Sequence, residues 1–434
     1  MISKARQSPL EQAARDWLIR DEIADEPAWL VERRAAAREF FLSHGLPTTR
    51  QEAFRFFPLS SILTAALNPA SQPEEEPCLG QDTSIGFLNG YPVGSVHRLP
   101  PGLHIQRLRE VLREAPDALE PYFGNLAEPI HAFAAVGLSA FRDAWVVRVT
   151  AENSLDLTLE VTLQQWGGAL WSVPRLLVIL EAGSRLQLVE RHLPSREGIA
   201  ELTTGVFEFF LDRDSQLRHV RLCSRGQKDA ELTTTAVRVA AKAYYHSWTA
   251  TTRGMLTRFD THVNLVGPGA RADLDGLYIA SGTDIVDHHT RVVHECENTT
   301  VQESYKGIID DQAQAVFDGQ IVVRAGAMGT NAQQFNRNLL MSDRAVVHTK
   351  PQLEIDADDV ACSHGATVGK LDEQQMFYLQ SRGISGDQAK RILTTAFAAE
   401  LVERCPFKQV SPLDGALVLT SSELEQAFDH VQPG

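Results

Sequence analysis

The feature that most constrains this chain is a run of more than 200 residues, from about 144 to 370, made of short strand-like segments with almost no helical periodicity. SLDLTLEVTLQ opens it. Leu155, Leu157, Leu159, Val161 and Leu163 recur at every second position, so they fall on one face of a strand buried on one side. PRLLVILEAG, TGVFEFFLD, SQLRHVRLCS, ARADLDGLYIA, QAVFDGQIVV and AVVHTKPQLEI continue the run, with Gly, Asn, Asp and Pro between them. Thr234–Ala243 is the one helix candidate inside it. So many short strands fit a sandwich, barrel, propeller or β-helix. Two internal echoes favour the β-helix. Ser184-Arg-Leu-Gln-Leu-Val resembles Ser215-Gln-Leu-Arg-His-Val, and Asp275-Gly276 and Asp318-Gly319 each precede an aliphatic strand. From pattern alone a β-sandwich is the alternative.

Helical segments flank this run. Ser8-Pro9-Leu10-Glu11 is a capping box with Pro at the first helical position. A second helix is expected from about Pro27 to Ser43, stopping at Gly45, and further helices at Ile105–Arg113 and Pro116–Phe123. The Pro- and Glu-rich stretch Asn68–Asp82 is expected to be an exposed linker. Beyond the strands, helices are expected over Asp372–Arg382, from the capping box Ser385-Gly-Asp-Gln388 onward, and after Ser422-Glu-Leu-Glu425. The expected organisation is a mainly helical region over 1–140, a strand-rich core over 141–370 and a helical region over 371–434.

Composition excludes some classes. A formal net charge of −15 argues against a binder of nucleic-acid backbones. No apolar run is long enough to suggest a membrane span, and the first residues carry no apolar secretory segment. Five scattered cysteines suit a reducing compartment, so a cytoplasmic location is expected.

Few motifs carry chemistry. Gly365–Lys370, GATVGK, is one residue short of a phosphate loop and has Leu371 where Ser or Thr belongs, so a nucleotide site is not expected. Asp287–Glu295, DHHTRVVHE, gathers His288, His289 and His294 with two carboxylates, but His289 has the opposite parity. It is expected to be a His-rich strand edge rather than a metal centre. Asp356, Asp358 and Asp359 could form the acidic cluster of a carbohydrate-active β-helix, though alternation sets Asp359 apart.

Cys362 and His364 are a sharper pair. Two residues apart on a strand, they face the same way, with Ser363 opposite. Thiolate and imidazole together suit iron, copper or zinc. They also suit a nucleophilic pair, or a packed Cys beside a His bonded at a strand end. Two donors do not complete a metal site or a cluster, so a metal reading needs further ligands from elsewhere, such as another subunit.

The stretch LEIDADDVACSHGATVGKLDEQQMFYLQSRGIS, Leu353–Ser385, resembles the signature of the SufB/SufD family, scaffold subunits of the SUF iron–sulfur cluster assembly machinery. ESYKGIIDDQAQAVFDGQIVV (303–323) and NAQQFNRNLLMSDRAVVHTKP (331–351) resemble other parts of that family; GLPTTRQEAFRFFPLSSI near the N-terminus is a looser match. SufB relatives typically carry a Cys just after the Phe-Tyr of the following helix. Leu379 stands there, so the chain is similar to the SufD branch.

The resemblance implies a right-handed parallel β-helix flanked by helical regions, paired with SufB by strand pairing. It implies a SufC ATPase docked on residues from about 371 onward, and no catalysis by this chain itself. It implies that His364, with Cys362 in a less certain role, is a ligand of a nascent iron–sulfur cluster shared transiently with SufB. No permanent cofactor is then expected. A purely architectural subunit is the alternative, and an isolated chain is expected to be able to pair with itself through its open end.

Overall fold

The computed structural model describes residues 8–20, 26–59, 62, 67–73, 84–94, 99–127, 131–195 and 200–407. From Trp145 onward, successive long strands alternate between two sheets, and each sheet is parallel along this length. In spatial order from the C-terminal end, the first sheet holds Val346–Ile355, Gln314–Val323, Ile285–His294, Leu256–Leu265, Asp229–Val239, Val206–Leu211, Arg175–Leu180 and Trp145–Val149. The second holds Ala361–Gly369, Asn331–Leu340, Thr300–Ile309, Arg271–Ala280, Tyr244–Arg253, Gln216–Ser224, Arg185–His192 and Ser154–Gln164. Such a winding is a parallel β-helix. At its N-terminal end, Leu103–Arg107 closes the first sheet antiparallel to Trp145–Val149, and the hairpin Ser84–Leu88/Tyr91–Val93 closes the second.

Where the first sheet hands over to the second, each coil turns at a residue in the left-handed region: Glu152, Gly183, Asp214, Lys242, Gly269, Asn298, Gly329 and Asp359, with φ between 54° and 71°. These residues stack. The N–H of Glu152 donates to the carbonyl of Ala182 one coil on, at 2.9 Å, and Gly183, Asp214, Lys242, Gly269, Asn298 and Gly329 repeat the bond. The spacing is about 30 residues per coil, a solenoid period. Ser184-Arg-Leu and Ser215-Gln-Leu occupy equivalent places, since Arg185 pairs with Gln216. Asp275-Gly276 and Asp318-Gly319 do not: they lie on opposite sheets.

Inside the coils an apolar core runs from Ile85 and Val147 at one end through Phe207, Phe209, Tyr278 and Phe317 to Ala345 at the other. The outer face of the first sheet is covered by the N-terminal helices Pro9–Arg20, Ala28–His44 and Ala132–Ser139. Trp17, Phe41, Phe57 and Phe133 pack there with Trp171 and Ile179. This cover explains why Thr234–Ala243 lacks the alternation of a strand although its first part, to Val239, is strand and the rest is the turn at Lys242. Asp229–Val239 is buried on both faces, all but Arg238, and two-sided burial erases the alternation that marks a strand.

The helix starts are as the capping residues predict. The Ser8 hydroxyl accepts from the Glu11 N–H at 3.1 Å, and Ser385 and Gln388 form a reciprocal capping box. Ile105–Arg113 is divided, with strand to Arg107 and helix over Leu108–Glu114, and Pro116–Phe123 is a series of turns. Asn68–Pro69, expected in a linker, pair with Leu170–Trp171. The rest of that stretch from residue 74, the side chains of Leu155 and Leu157, and the helix expected after Ser422 lie outside the described residues.

The C-terminal helix Gly386–Glu403 lies on the outer face of the second sheet. Ala398 and Leu401 pack on Leu277, Ile279 and Ile308. Lys306 donates to the Phe397 carbonyl and pairs with Glu400, each at 2.8 Å, and Arg404 pairs with Asp275 at 2.9 Å. The shorter helix Glu373–Ser381 buries none of its residues, and its Phe377 and Tyr378 are 73% and 57% exposed. Among the described residues, no helix is long and apolar enough to cross a membrane.

Candidate functional site

The β-helix ends on an open coil. Its last two strands, Val346–Ile355 and Ala361–Gly369, each pair with a neighbour on one side only. Their surroundings are apolar for an exposed edge: Val346, Ile355 and Val368 are each more than 40% exposed. Cys362 and His364 stand on the final strand. Cys362 is in register with Ala332, a fully buried residue, and His364 with Gln334, also fully buried. Both therefore occupy the inward-facing rows of the coil, as their spacing requires, at the point where the interior meets solvent.

Their environments differ. Cys362 is half-buried and packs against the inner apolar core; burial pushes its thiol pKa up. His364 is exposed. A half-buried thiol beside an accessible imidazole is a donor pair of the kind that suits iron, copper or zinc. Among the described residues, no group of three or more His, Cys, Asp or Glu side chains is arranged to hold a metal ion. Cys362 and His364 thus offer two donors and need others.

The other candidates are accounted for structurally. Asp287–Glu295 is not an edge: Ile285–His294 is an inner strand of the first sheet. His288 is buried among Phe259, Tyr278 and Tyr305, and His294 bonds the Thr299 hydroxyl at 2.7 Å. Asp287 serves Arg258, which also holds Asp260 and stacks on Phe54. The segment from Gly365 to Gly369 is strand rather than phosphate loop, and Lys370 pairs with Asp343. Asp356, Asp358 and Asp359 are exposed in a turn, where Asp359 takes the left-handed conformation of the ladder. Cys223 and Cys405 are buried and Cys296 is half-buried, its thiol donating to the Val266 carbonyl.

Sequence reasoning missed two interior residues behind the site. Gln334 and Glu303, each in register with the next, lie one and two coils below His364, and the Gln334 amide donates to Glu303 at 2.6 Å. Only the coil period could have linked them.

A family model described as "SUF system FeS cluster assembly, SufBD core domain" matches residues 163–397. The "Iron-sulfur cluster assembly protein SufD" of Escherichia coli is 34% identical over 375 residues, spanning 83% of this chain and 86% of that protein. The "Protein ABCI7, chloroplastic" of Arabidopsis thaliana is 29% identical over 394 residues, spanning 87% of this chain and 83% of that protein. A SufD of Bacillus subtilis is 33% identical over a shorter 147 residues, 34% of each chain.

Proposed function

This chain belongs to the SufB/SufD family of SUF iron–sulfur cluster assembly proteins and is SufD-like within it; from that premise we propose that it is a non-catalytic scaffold subunit that lends His364, with Cys362, to a nascent cluster built at a shared interface. The observation that carries the reading is the placement of these two donors on the inward rows of an open terminal coil. The cluster is cargo: it is assembled, then handed on. Mixed ligation by an imidazole and a half-buried thiol, completed by the SufB partner, holds iron less permanently than four thiolates do.

The unpaired edges of Val346–Ile355 and Ala361–Gly369 support joining to SufB by continued strand pairing, and an isolated chain would pair with itself the same way. The exposed Phe377 and Tyr378 support docking of the SufC ATPase on the C-terminal helices. Because Gly386–Glu403 is held to the second sheet by packing and by Lys306, Trp248 and Arg404, a pull on that helix moves the coil stack as a body. ATP-driven closure of SufC would in this way shift the two open coils against each other and expose the donors. The assembly works in the cytoplasm.

The test is anaerobic co-expression of the full chain with its host's SufB and SufC. A ternary complex that is brown with the wild-type chain and colourless with His364→Ala is the expected result. Unchanged colour would leave this chain a purely architectural partner.

A further inference from the structure

We infer that Gln334 is the positioning residue of His364: in the closed assembly its side-chain oxygen accepts the inward ring N–H of His364 and leaves the opposite ring nitrogen facing the cluster. The inference rests on the reading of His364 as a ligand and asks what fixes its ring.

Gln334 is fully buried in the last complete coil, between Glu303 and His364 in the same inward row. Its nitrogen is committed, donating to a Glu303 oxygen at 2.6 Å. Its oxygen is buried with no hydrogen-bond partner. A buried acceptor without a donor is costly, so an orphan at this place needs a reason. Two neighbouring interior amides are already in use. The Asn336 amide nitrogen serves the Tyr278 hydroxyl and the Tyr305 carbonyl, and the Asn338 nitrogen serves the Asn336 oxygen. The next side chain in the Gln334 row with a donor to give is His364. Across the interior, a Cβ at Gly319 would collide with the Gln334 amide, so bare backbone there makes room for it.

In the open coil His364 is exposed. A second β-helix end seated on the coil would exclude water and turn the ring inward onto the waiting oxygen. Metal-ligating histidines characteristically donate their second nitrogen to an acceptor that fixes tautomer and orientation, and losing that acceptor costs about 10- to 100-fold in metal affinity. Glu303 holds the amide so that oxygen, rather than nitrogen, faces the site.

The experiment assembles the full chain, labelled with ¹⁵N-histidine, with unlabelled SufB and SufC, and reads the ring nitrogens by solid-state NMR. Subtraction of the His364→Asn spectrum assigns the signals. In the wild-type complex His364 is expected to show one tautomer, with its N–H hydrogen-bonded. Gln334→Met and the shorter Gln334→Asn should both return the averaged ring signals of an unanchored imidazole and lower cluster yield about tenfold. Glu303→Gln, which keeps an acceptor for the amide, should preserve the wild-type ring signals. Identical His364 signals in wild-type and Gln334→Met complexes would overturn the inference. If Gln334→Met frees the ring while His364→Ala still builds cluster at the wild-type level, the positioning stands and the ligand reading falls.

Discussion

The indole N–H of Trp248, on the outer face of the second sheet, donates to the carbonyl of Leu401 in the last turn of the C-terminal helix at 2.9 Å. Trp248 is fully buried beneath Cys405, between Val189, Val220 and Ala250. The same carbonyl accepts the Arg404 N–H at the helix end at 3.2 Å, and the indole bond adds a tie from helix to sheet.

Trp248→Phe keeps most of the packing and removes the donor. The expected cost is about 1 kcal/mol in stability, with faster amide exchange in the last two turns of Gly386–Glu403. Exchange mass spectrometry of the full chain measures it. Unchanged protection in that helix would show that the bond does not hold it down.

A buried ion-pair network inside the coils sets the acid limit of stability. Glu190 meets Arg221 at 2.7 Å, and Glu231 meets His192 at 2.9 Å and also pairs with Arg225. Burial alone would push both carboxyl pKa values up, but Arg221 and His219 hold Glu190 well below the usual range, and Arg225 and His192 do the same for Glu231. A carboxylate depressed in the fold adds stability that is complete above its unfolded value near 4.5 and disappears as pH falls through the folded value. Denaturation should therefore steepen below about pH 4.5. Glu190→Gln, which strands Arg221 in the interior, should cost about 3–5 kcal/mol at pH 7 and flatten that acid limb. Urea titrations across pH read both effects.

Glu303 has the opposite sign. Burial pushes its carboxyl up to about 7. A carboxyl raised in the fold brings no penalty below its unfolded value near 4.5, a growing one as pH rises, and the full one above the folded value. Glu303→Gln is thus expected to be neutral near pH 4.5 and stabilising at pH 8, by at most about 3 kcal/mol. A variant equally stable relative to wild type at both pH values would show that Glu303 titrates as it does in the unfolded chain.

The thiols should react in order of access and ionisation. Burial raises both Cys223 and Cys362, Cys223 being enclosed and Cys362 half-open to solvent at the coil end. Iodoacetamide at pH 8 is expected to modify Cys362 slowly and to leave Cys223 intact until the chain unfolds. Peptide mass mapping over time gives the order, and partner binding over the open coil should protect Cys362 further.

The sequence was most legible where local chemistry decides local structure. Ser8 and Ser385 open helices because their hydroxyls meet an orphan N–H, wherever the rest of the chain lies. Cys362 and His364 share a face because strand geometry alone puts them there. The coil repeat was nearly hidden. Its turn ladder asks only for a left-handed backbone, and it accepts Glu152, Asp214, Lys242 and Asn298 as well as glycine. Thr234–Ala243 reads as a helix candidate because the outer face of the strand Asp229–Val239, which contains its first half, is covered by elements distant in the chain. Gln334 and Glu303 carried no signal for the same reason: their tie to His364 runs across coils, along hydrogen-bond ladders rather than along the chain.

The stacked left-handed turns also make the molecule's height countable. Neighbouring coils are separated by the strand spacing of about 4.8 Å, so the distance from the N-terminal end of the β-helix to His364 changes only in such steps. Loss of one residue within a strand would turn the remaining side chains of that strand inside out, whereas loss of one whole coil would shorten the tower by a storey and leave each inward row intact. A chain built this way can be lengthened or trimmed to match the reach of its partners without disturbing the chemistry at its summit.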